Sequence, residues 1–370
     1  MTSGAESSLA AVVRTSQGEY RAIVGRGVTA SIGAEFELAG LGKRAFLVAD
    51  QAVFPDAVRT VQEALERAGV VTHVLTLPSG ERTKSLQTLE QIYSWLAGLR
   101  GERGDTIVAL GGGVIGDIAG FAAATWLRGV AFVQVPTSLA SMVDASLGGK
   151  VAANLPMGKN LVGAFHQPKL VLSDVDFLKT LPAREMAAGW AEAIKHGLIL
   201  DPELLEAFES EADVLMALEG EQVVEVIRRS VAIKAEIVSA DEFERGDVRV
   251  LLNYGHTIGH AIEAVTDYGE YLHGEAVSVG MMAAALIAER LGMIDAELVD
   301  RQRAVLERYG LPVSAPGLSV EAIMDRAKSD KKVRGRVIRW VLLEGPGKAV
   351  TRSDVPDELV AGVIADLVAR

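Results

Sequence analysis

The chain has 370 residues, no cysteine, and 49 acidic against 37 basic side chains, a formal net charge of −12. That length suggests two domains, each able to bury its own core. The lack of cysteine excludes disulfides, iron–sulfur clusters, thiolate zinc sites and cysteine nucleophiles, and the acidic balance argues against a general nucleic-acid binder.

In the first half, strand and helix patterns alternate. Residues 11–13 and 20–24 read as a hairpin around Ser16-Gln17-Gly18. A buried strand at 44–49 ends at Asp50, a helix at 56–68 stops at Gly69, and 70–77 is strand-like. A helix at 84–99 has Thr83 or Ser85 available as its cap. Strands at 106–110, 131–135 and 170–173 surround a helix at 115–126, and such alternation implies a largely parallel α/β sheet. The long segment 136–168 is rich in Gly and Asn, shows little periodicity and reads as a functional loop. Beyond about residue 178 the spacing becomes helical, at 184–200, 203–218, 221–240, 257–265, 275–291 and 297–309. One strand pair, 337–343 with 349–350, interrupts the helices, and the expected domains are 1–178 and 179–370. Hydrophobic residues make up 49% of the chain. Yet the apolar stretches 106–116, 129–143 and 276–288 end at Asp117, Asp144 and Glu289, short of the ~18 charge-free residues a membrane span needs. Residues 1–20 lack the basic start and apolar run of a signal peptide, so the expectation is a soluble, cytoplasmic protein.

Three features could carry chemistry. Gly111-Gly112-Gly113-Val114-Ile115-Gly116-Asp117 follows a strand and opens a helix, where backbone N–H groups and the helix N-terminus favour a pyrophosphate. The acidic residue expected ~20 positions later in a dinucleotide fingerprint is absent. That region reads Phe132-Val133-Gln134-Val135, so a bound dinucleotide's ribose must be held differently, with Asp50 the candidate. A plain tight turn is the competing explanation. Second, four of the six histidines are His196, His256, His260 and His273. His256 and His260 share a helix face, a spacing that suits a divalent metal, and with no thiolate available a carboxylate should complete the site. Glu192, which shares a face with Lys195 and His196, is attractive. Thr257 stands where a zincin protease would carry its glutamate. Third, Arg128, Lys150, Lys159, Lys195, Lys234, Arg249, Lys331 and Lys332 sit isolated in apolar or Gly-rich sequence, a setting that suits phosphate and carboxylate groups.

The run Gly111–Asp117, together with Val135-Pro136-Thr137, Val143-Asp144-Ala145-Ser146-Leu147-Gly148-Gly149-Lys150 and Gly158-Lys159-Asn160, resembles the 3-dehydroquinate synthase family. So do Ala191-Glu192 through Lys195, Leu252-Asn253-Tyr254-Gly255-His256-Thr257-Ile258-Gly259-His260-Ala261-Ile262-Glu263, Leu272-His273-Gly274-Glu275 and Asp330-Lys331-Lys332. The resemblance runs in order along nearly the whole chain. It implies an α/β N-terminal Rossmann-like domain with a mostly parallel sheet, followed by a mainly α-helical C-terminal domain.

The activity it implies is that of a phosphate-eliminating carbon–oxygen lyase. Such an enzyme converts 3-deoxy-D-arabino-heptulosonate 7-phosphate to 3-dehydroquinate and phosphate, with NAD reduced and reoxidised in each turnover. The resemblance assigns a zinc or cobalt ion to Glu192, His256 and His273, and moves His260 to the substrate. It assigns the phosphate and reacting end to Arg128, Lys150, Asn160 and His260, and the carboxylate and hydroxyls to Lys195, Lys234, Arg249 and Asn253. Asp144 lines the same site, with Lys331 favoured over Lys332 as a further contact. For NAD it implies Asp50, Glu81, Lys84, Gly113, Val114, Ile115, Gly116, Asp117, Thr137, Ser138, Lys150, Lys159, Phe177, Leu178, Lys179 and Thr180. Ala52 departs from the asparagine that many members carry near the adenosine ribose, and Ser138 replaces a threonine. The expected partner is a small anionic sugar phosphate, with no nucleic acid or membrane, and the chain is expected to be a homodimer. The alternatives are a related cyclase acting on sedoheptulose 7-phosphate and a metal-dependent polyol dehydrogenase. Lys234, Arg249, Asn253 and His260, present as a set, argue against the first.

Overall fold

The computed structural model describes residues 8–53, 55–332 and 338–369, with the side chains of 55 and 329–332 outside that description. The chain divides into two compact units, Met1–Leu181 with Ile227–Phe243, and Pro182–Val226 with Glu244–Arg370.

In the first unit, β1 (Leu9–Thr15) and β2 (Gly18–Gly25) form the hairpin. They are followed by α1 (Ile32–Leu38), β3 (Arg44–Asp50), α2 (Pro55–Arg67) and β4 (Val71–Leu77). Then come α3 (Leu86–Gly98), β5 (Thr106–Gly111), α4 (Gly113–Thr125) and β6 (Ala131–Pro136). Next are β7 (Lys150–Leu155), β8 (Gly158–Phe165) and β9 (Leu170–Asp174). The main sheet runs β1-β2-β9-β6-β5-β3-β4 and is parallel except for the β1–β2 pair. Along β3, Phe46 and Val48 enter one core with α3 and α4, while Ala45, Leu47 and Ala49 enter the other with α1 and α2. This period of two with both faces covered explains why β3 and β5 read as continuous apolar runs. After β4 the chain returns across β3 to form β5, so the strand order reverses between β3 and β5. Open α/β sheets bind ligands at the carboxyl ends of the strands flanking such a reversal.

Segment 136–168 is ordered rather than irregular. A π-helical turn, Ser141–Ala145, leads into an antiparallel β7–β8 hairpin. Residues 227–243 belong with the first unit, not with the helical domain expected from sequence, because their polar contacts lie there. Ser239 accepts the Arg14 amide at 3.0 Å, Glu242 accepts the Ser16 amide at 2.7 Å, and Lys234 donates to the Asp144 carbonyl at 2.6 Å.

The second unit holds α5 (Ala183–Leu200), α6 (Pro202–Ser210), α7 (Ala212–Met216) and the start of α8 (Gln222–Ala240). These are followed by α9 (His256–Val265), α10 (His273–Arg290), α11 (Ala296–Arg308) and α12 (Val320–Lys332). A hairpin of β10 (Trp340–Gly345) and β11 (Lys348–Arg352) precedes α13 (Asp357–Val368). The single helix expected at 203–218 is two, broken at Glu211, and the first part of the strand expected at 337–343 lies partly outside the described residues. Residues 276–288 of α10 are all buried, which makes it the central helix of the unit. Glycines let it approach its neighbours. A Cβ on Gly280 would lie 1.9 Å from the Gly255 carbonyl oxygen, and one on Gly274 would lie 1.9 Å from the Ala188 carbonyl oxygen. Among the described residues, no helix is long and apolar enough to cross a membrane.

Candidate active site

In the second unit, backbone packing brings three donors together. Glu192 lies on α5, one helical turn beyond Ala188, and Gly274 seats the first turn of α10 on that residue. His273 therefore meets Glu192, its Nε2 3.5 Å from Glu192 Oε1, while His256 Nε2, at the start of α9, lies 3.6 Å from the same oxygen. Glu275 fixes the first turn of α10 by accepting the Leu272 amide at 2.7 Å and a bidentate pair from Arg184 at 2.6 and 2.7 Å.

The charges follow from this packing. Glu192 is 1% exposed, and its Oε2 accepts a hydrogen bond from the equally buried Lys195 ammonium. Burial alone would raise the Glu192 pKa, but the Lys195 charge and the histidines outweigh it and hold the carboxyl well below its usual range. The Glu192 Oε1 atom is buried and accepts no hydrogen bond within normal geometry. Burial, reinforced by Lys195, pushes the His256 imidazole well below its ordinary value, so it is neutral. Its Nδ1 lies 3.1 Å from the Tyr254 carbonyl, which makes Nδ1 the N–H and leaves a lone pair on Nε2. At His273, burial acts downward, but the carboxylates of Glu192 and Glu263 beside its two ring nitrogens outweigh it and raise the pKa to about 10.

A cation fits this arrangement. Two donors at ~2.0–2.2 Å from one tetrahedral ion are about 3.3–3.6 Å apart, and the Glu192–His256 and Glu192–His273 separations are 3.6 and 3.5 Å. A buried carboxylate oxygen without a donor and an imidazole that holds a proton between two carboxylates both mark a place where positive charge is wanted. His260 is adjacent, with ring centroids 5.2 Å from His256 and 5.8 Å from His273, and the ligand atoms of the three histidines lie within 4.8 Å of one another. Arg249 is buried in the 3-10 turn Arg249–Asn253, and Asn253 donates to Glu244 Oε1 at 2.9 Å. Glu244 was not singled out from sequence. The Lys331 side chain lies outside the described residues.

In the first unit, the glycine loop closes β5 at the strand reversal. A Cβ on Gly111 would lie 3.1 Å from Asp50 Cβ, and one on Gly116 would lie 2.7 Å from Gln134 Oε1. Gly112 caps α4 without a side chain, so the first amides of that helix point at whatever occupies the loop. This arrangement fits a dinucleotide phosphate. Asp50 is held by the Ala52 amide at 2.8 Å and by the Ser79 hydroxyl. Thr137 donates its amide to the Gly111 carbonyl at 3.0 Å, and Ser138 Oγ meets Ser141 Oγ at 2.9 Å.

Lys84, 5% exposed, bridges Asp117 and Asn160, so two proposed NAD residues and a proposed substrate residue form one cluster. Burial raises the Asp117 pKa to about 6 against the opposing charge of Lys84. Asn154, given no role from sequence, clamps the cluster. It donates to Glu81 Oε1 at 2.7 Å, accepts the Asn160 amide at 2.9 Å and donates its own amide to the Lys84 carbonyl at 2.8 Å. Its sequence signal is its place in a Gly- and Asn-rich segment, at the end of Val151-Ala152-Ala153-Asn154, a variant of the run that family members carry after Lys150.

Lys159 lies 3.9 Å from Glu81, and Lys150 is exposed at the start of β7. Lys234 donates to both the carbonyl and the carboxylate of Asp144 in the π turn. Leu127 and Arg128 have positive φ, which is uncommon for such side chains, as does Asn160, a residue type that adopts it more readily. Phe177, Leu178, Lys179 and Thr180 form the 3-10 turn after β9, with Leu178 buried and Lys179 paired to Asp176 at 2.8 Å.

A family model described as 3-dehydroquinate synthase N-terminal matches residues 74–188, and one described as 3-dehydroquinate synthase C-terminal matches residues 189–333. A 3-dehydroquinate synthase from Nostoc punctiforme is 47% identical over 327 residues, which covers 88% of this chain and 90% of the relative. Among solved structures, a 2-deoxy-scyllo-inosose synthase complexed with carbaglucose-6-phosphate, NAD+ and Co2+ is similar with a TM-score of 0.85. It is 28% identical, and the match covers 97% of this chain and 100% of that one. A 2-epi-5-epi-valiolone synthase from Streptomyces hygroscopicus subsp. jinggangensis with NAD+ and Zn2+ bound is similar with a TM-score of 0.86. It is 27% identical, over 94% of this chain and 96% of that one.

Proposed function

This chain belongs to the 3-dehydroquinate synthase family, and we propose that it converts 3-deoxy-D-arabino-heptulosonate 7-phosphate to 3-dehydroquinate and phosphate, as a phosphate-eliminating carbon–oxygen lyase. The observation that carries the reading is the convergence of Glu192 Oε1, His256 Nε2 and His273 Nε2 at separations that suit one divalent ion. When bound, such an ion supplies Lewis acidity toward a substrate hydroxyl, and NAD supplies a reversible hydride acceptor.

The chain's own residues do the rest. The α4 amides and the Gly111–Gly113 turn hold the dinucleotide phosphates, and Glu81, Lys84 and Asp117 line the same loop. Arg128, Lys150, Asn160 and His260 take the phosphate and the reacting end. Lys195, Lys234, Arg249 and Asn253 take the carboxylate and hydroxyls, with Asp144 holding Lys234 in place. Lys195 acts twice, because its ammonium also keeps Glu192 ionised and turned so that Oε1 faces the histidines. Cytoplasmic operation as a homodimer follows from the family resemblance.

The test is phosphate release from the heptulosonate phosphate, with metal and NAD omitted in turn. Turnover that vanishes on chelation and returns with zinc or cobalt supports the reading, and no turnover after full reconstitution refutes it. A second reading, a cyclase for a sugar phosphate without the carboxylate, draws on the likeness to the two solved cyclases. Turnover of sedoheptulose 7-phosphate in preference to the carboxylated substrate would favour it.

A further inference from the structure

His256, His260 and Glu263 occupy positions i, i+4 and i+7 of α9 and so share one face of that helix. Glu263 is 6% exposed, and its Oε2 lies 3.2 Å from His273 Nδ1, on the side of the imidazole opposite the nitrogen that faces Glu192. The two histidines of the centre are therefore held differently. His256 donates to a neutral carbonyl, Tyr254, whereas His273 donates to a buried carboxylate.

We infer that Glu263 is a positioning residue of the metal centre. It fixes His273 as the Nδ1–H tautomer, sets the rotation of the ring, and makes Nε2 the stronger electron donor of the two imidazoles. The physical basis is that a carboxylate on the outer nitrogen of a ligating histidine orients the ring and raises its basicity, and that losing such a partner typically costs about 10–100-fold in metal affinity. His273 also has more need of an anchor than His256. Its side chain is 44% exposed against 12% for His256, so packing alone restrains it less.

The inference rests on the assignment of Glu192, His256 and His273 as ligands, and the experiment separates the two. The full-length protein is loaded with cobalt, its affinity is measured by chelator competition, and its visible spectrum is recorded for the wild type, Glu192→Gln, Glu263→Gln and Glu263→Ala, with NAD affinity and melting temperature alongside. The expected result is abolished cobalt binding in Glu192→Gln. In Glu263→Ala a loss of about 10–100-fold with altered ligand-field bands is expected. Glu263→Gln should lose less, since its amide oxygen still accepts the Nδ1 proton, and NAD affinity should be unchanged throughout. Wild-type affinity and spectrum in both Glu263 variants, with Glu192→Gln still defective, overturn the positioning role alone. Cobalt binding intact in Glu192→Gln overturns the ligand assignment and this inference with it. If Glu263→Ala does not fold, Glu263→Gln decides, because a glutamine that leaves both affinity and spectrum at wild-type values shows that the charge on residue 263 does not tune the ligand.

Discussion

Replacing Gly274 by alanine adds one methyl group and should remove the metal. The new Cβ would lie 1.9 Å from the Ala188 carbonyl oxygen, whereas ordinary contact begins near 3.4 Å. The first turn of α10 must therefore withdraw from α5 by about 1.5 Å, the difference between those values. The obstacle is backbone, so no side-chain rotation relieves it. His273 precedes Gly274 and moves with it, which carries Nε2 from 3.5 Å toward about 5 Å from Glu192 Oε1. Metal–ligand distances tolerate only about 0.2 Å, so the two donors can no longer share an ion. Overpacking of this kind costs about 1–3 kcal/mol, against which the better helix propensity of alanine returns at most about 1 kcal/mol. Equilibrium dialysis against zinc, with NAD binding as the control for the first unit, tests the expectation of lost metal, retained NAD and a lower melting temperature. Wild-type zinc affinity in Gly274→Ala would show that the close approach of α10 to α5 does not build the centre.

Three further outcomes are expected. The Asp117 carboxyl, raised from 3.8 to about 6, holds a proton in the folded chain between about pH 4 and 6 that the unfolded chain has lost. Its contribution to stability therefore falls as pH rises through that window, by about 3 kcal/mol in total; denaturant titrations of wild type and Asp117→Asn should diverge from pH 4 to 7 in favour of the variant, and parallel curves would refute the shift. Lys195→Met leaves Glu192 buried without its ammonium and should destabilise the chain by about 3–5 kcal/mol, read from urea midpoints; a loss below about 1 kcal/mol would mean that the pair is not desolvated. Asn154→Ala removes the clamp between Glu81 and Asn160 and should weaken NAD about tenfold by calorimetry, the equivalent of one hydrogen bond of about 1.4 kcal/mol, with unchanged affinity as the refuting result.

The sequence made the sheet legible because β3 and β5 are buried on both faces, which leaves uninterrupted apolar runs. The cap of α3 was narrowed to two residues, and Ser85 takes it, accepting the Thr88 amide at 3.2 Å. The β7–β8 hairpin was hidden for the opposite reason. Three consecutive residues of β7, Val151, Ala152 and Ala153, are buried and no residue of β8 is, so neither strand alternates, and what holds the ribbon, such as Asn154 against Lys84 and Glu81, is polar. Helices α1 and α12 were missed because a short or charge-rich helix carries weak periodicity, whereas α13 buries Val360, Val363, Ile364 and Leu367 at helical spacing and was readable from sequence. Helix α8 was found, but 3.6-residue spacing says only that a face is buried, not which neighbour buries it, so the placement of 227–243 with the first unit was out of reach. At the metal centre, the His256–His260 spacing pointed to a shared face without saying which histidine turns inward. Glu192 lies 64 positions before His256; it was singled out for sharing a helix face with Lys195 and His196, and only the resemblance chose it as a ligand together with His273, whereas Glu263 stood in the same motif as His256, at i+7 on the visible face, without a role.

The net charge of −12 poses a question that these contacts answer. A chain that takes a phosphate and a carboxylate would be expected to carry a positive field, yet three buried lysines at the proposed positions are each matched by an acid of the same unit. Lys84 meets Asp117, Lys195 meets Glu192, and Lys234 meets Asp144. Each carboxylate offsets the cost of burying its ammonium, which no long-range surface charge could do, because exposed charges are screened beyond about 10 Å. An ammonium has three donors, so pairing with one acid orients it without exhausting it. The acids that make the chain anionic overall are thus, at these three places, what permits lysines to be buried where anions are to be held. Net charge and anion binding are set by different residues at different depths, and the first does not forecast the second.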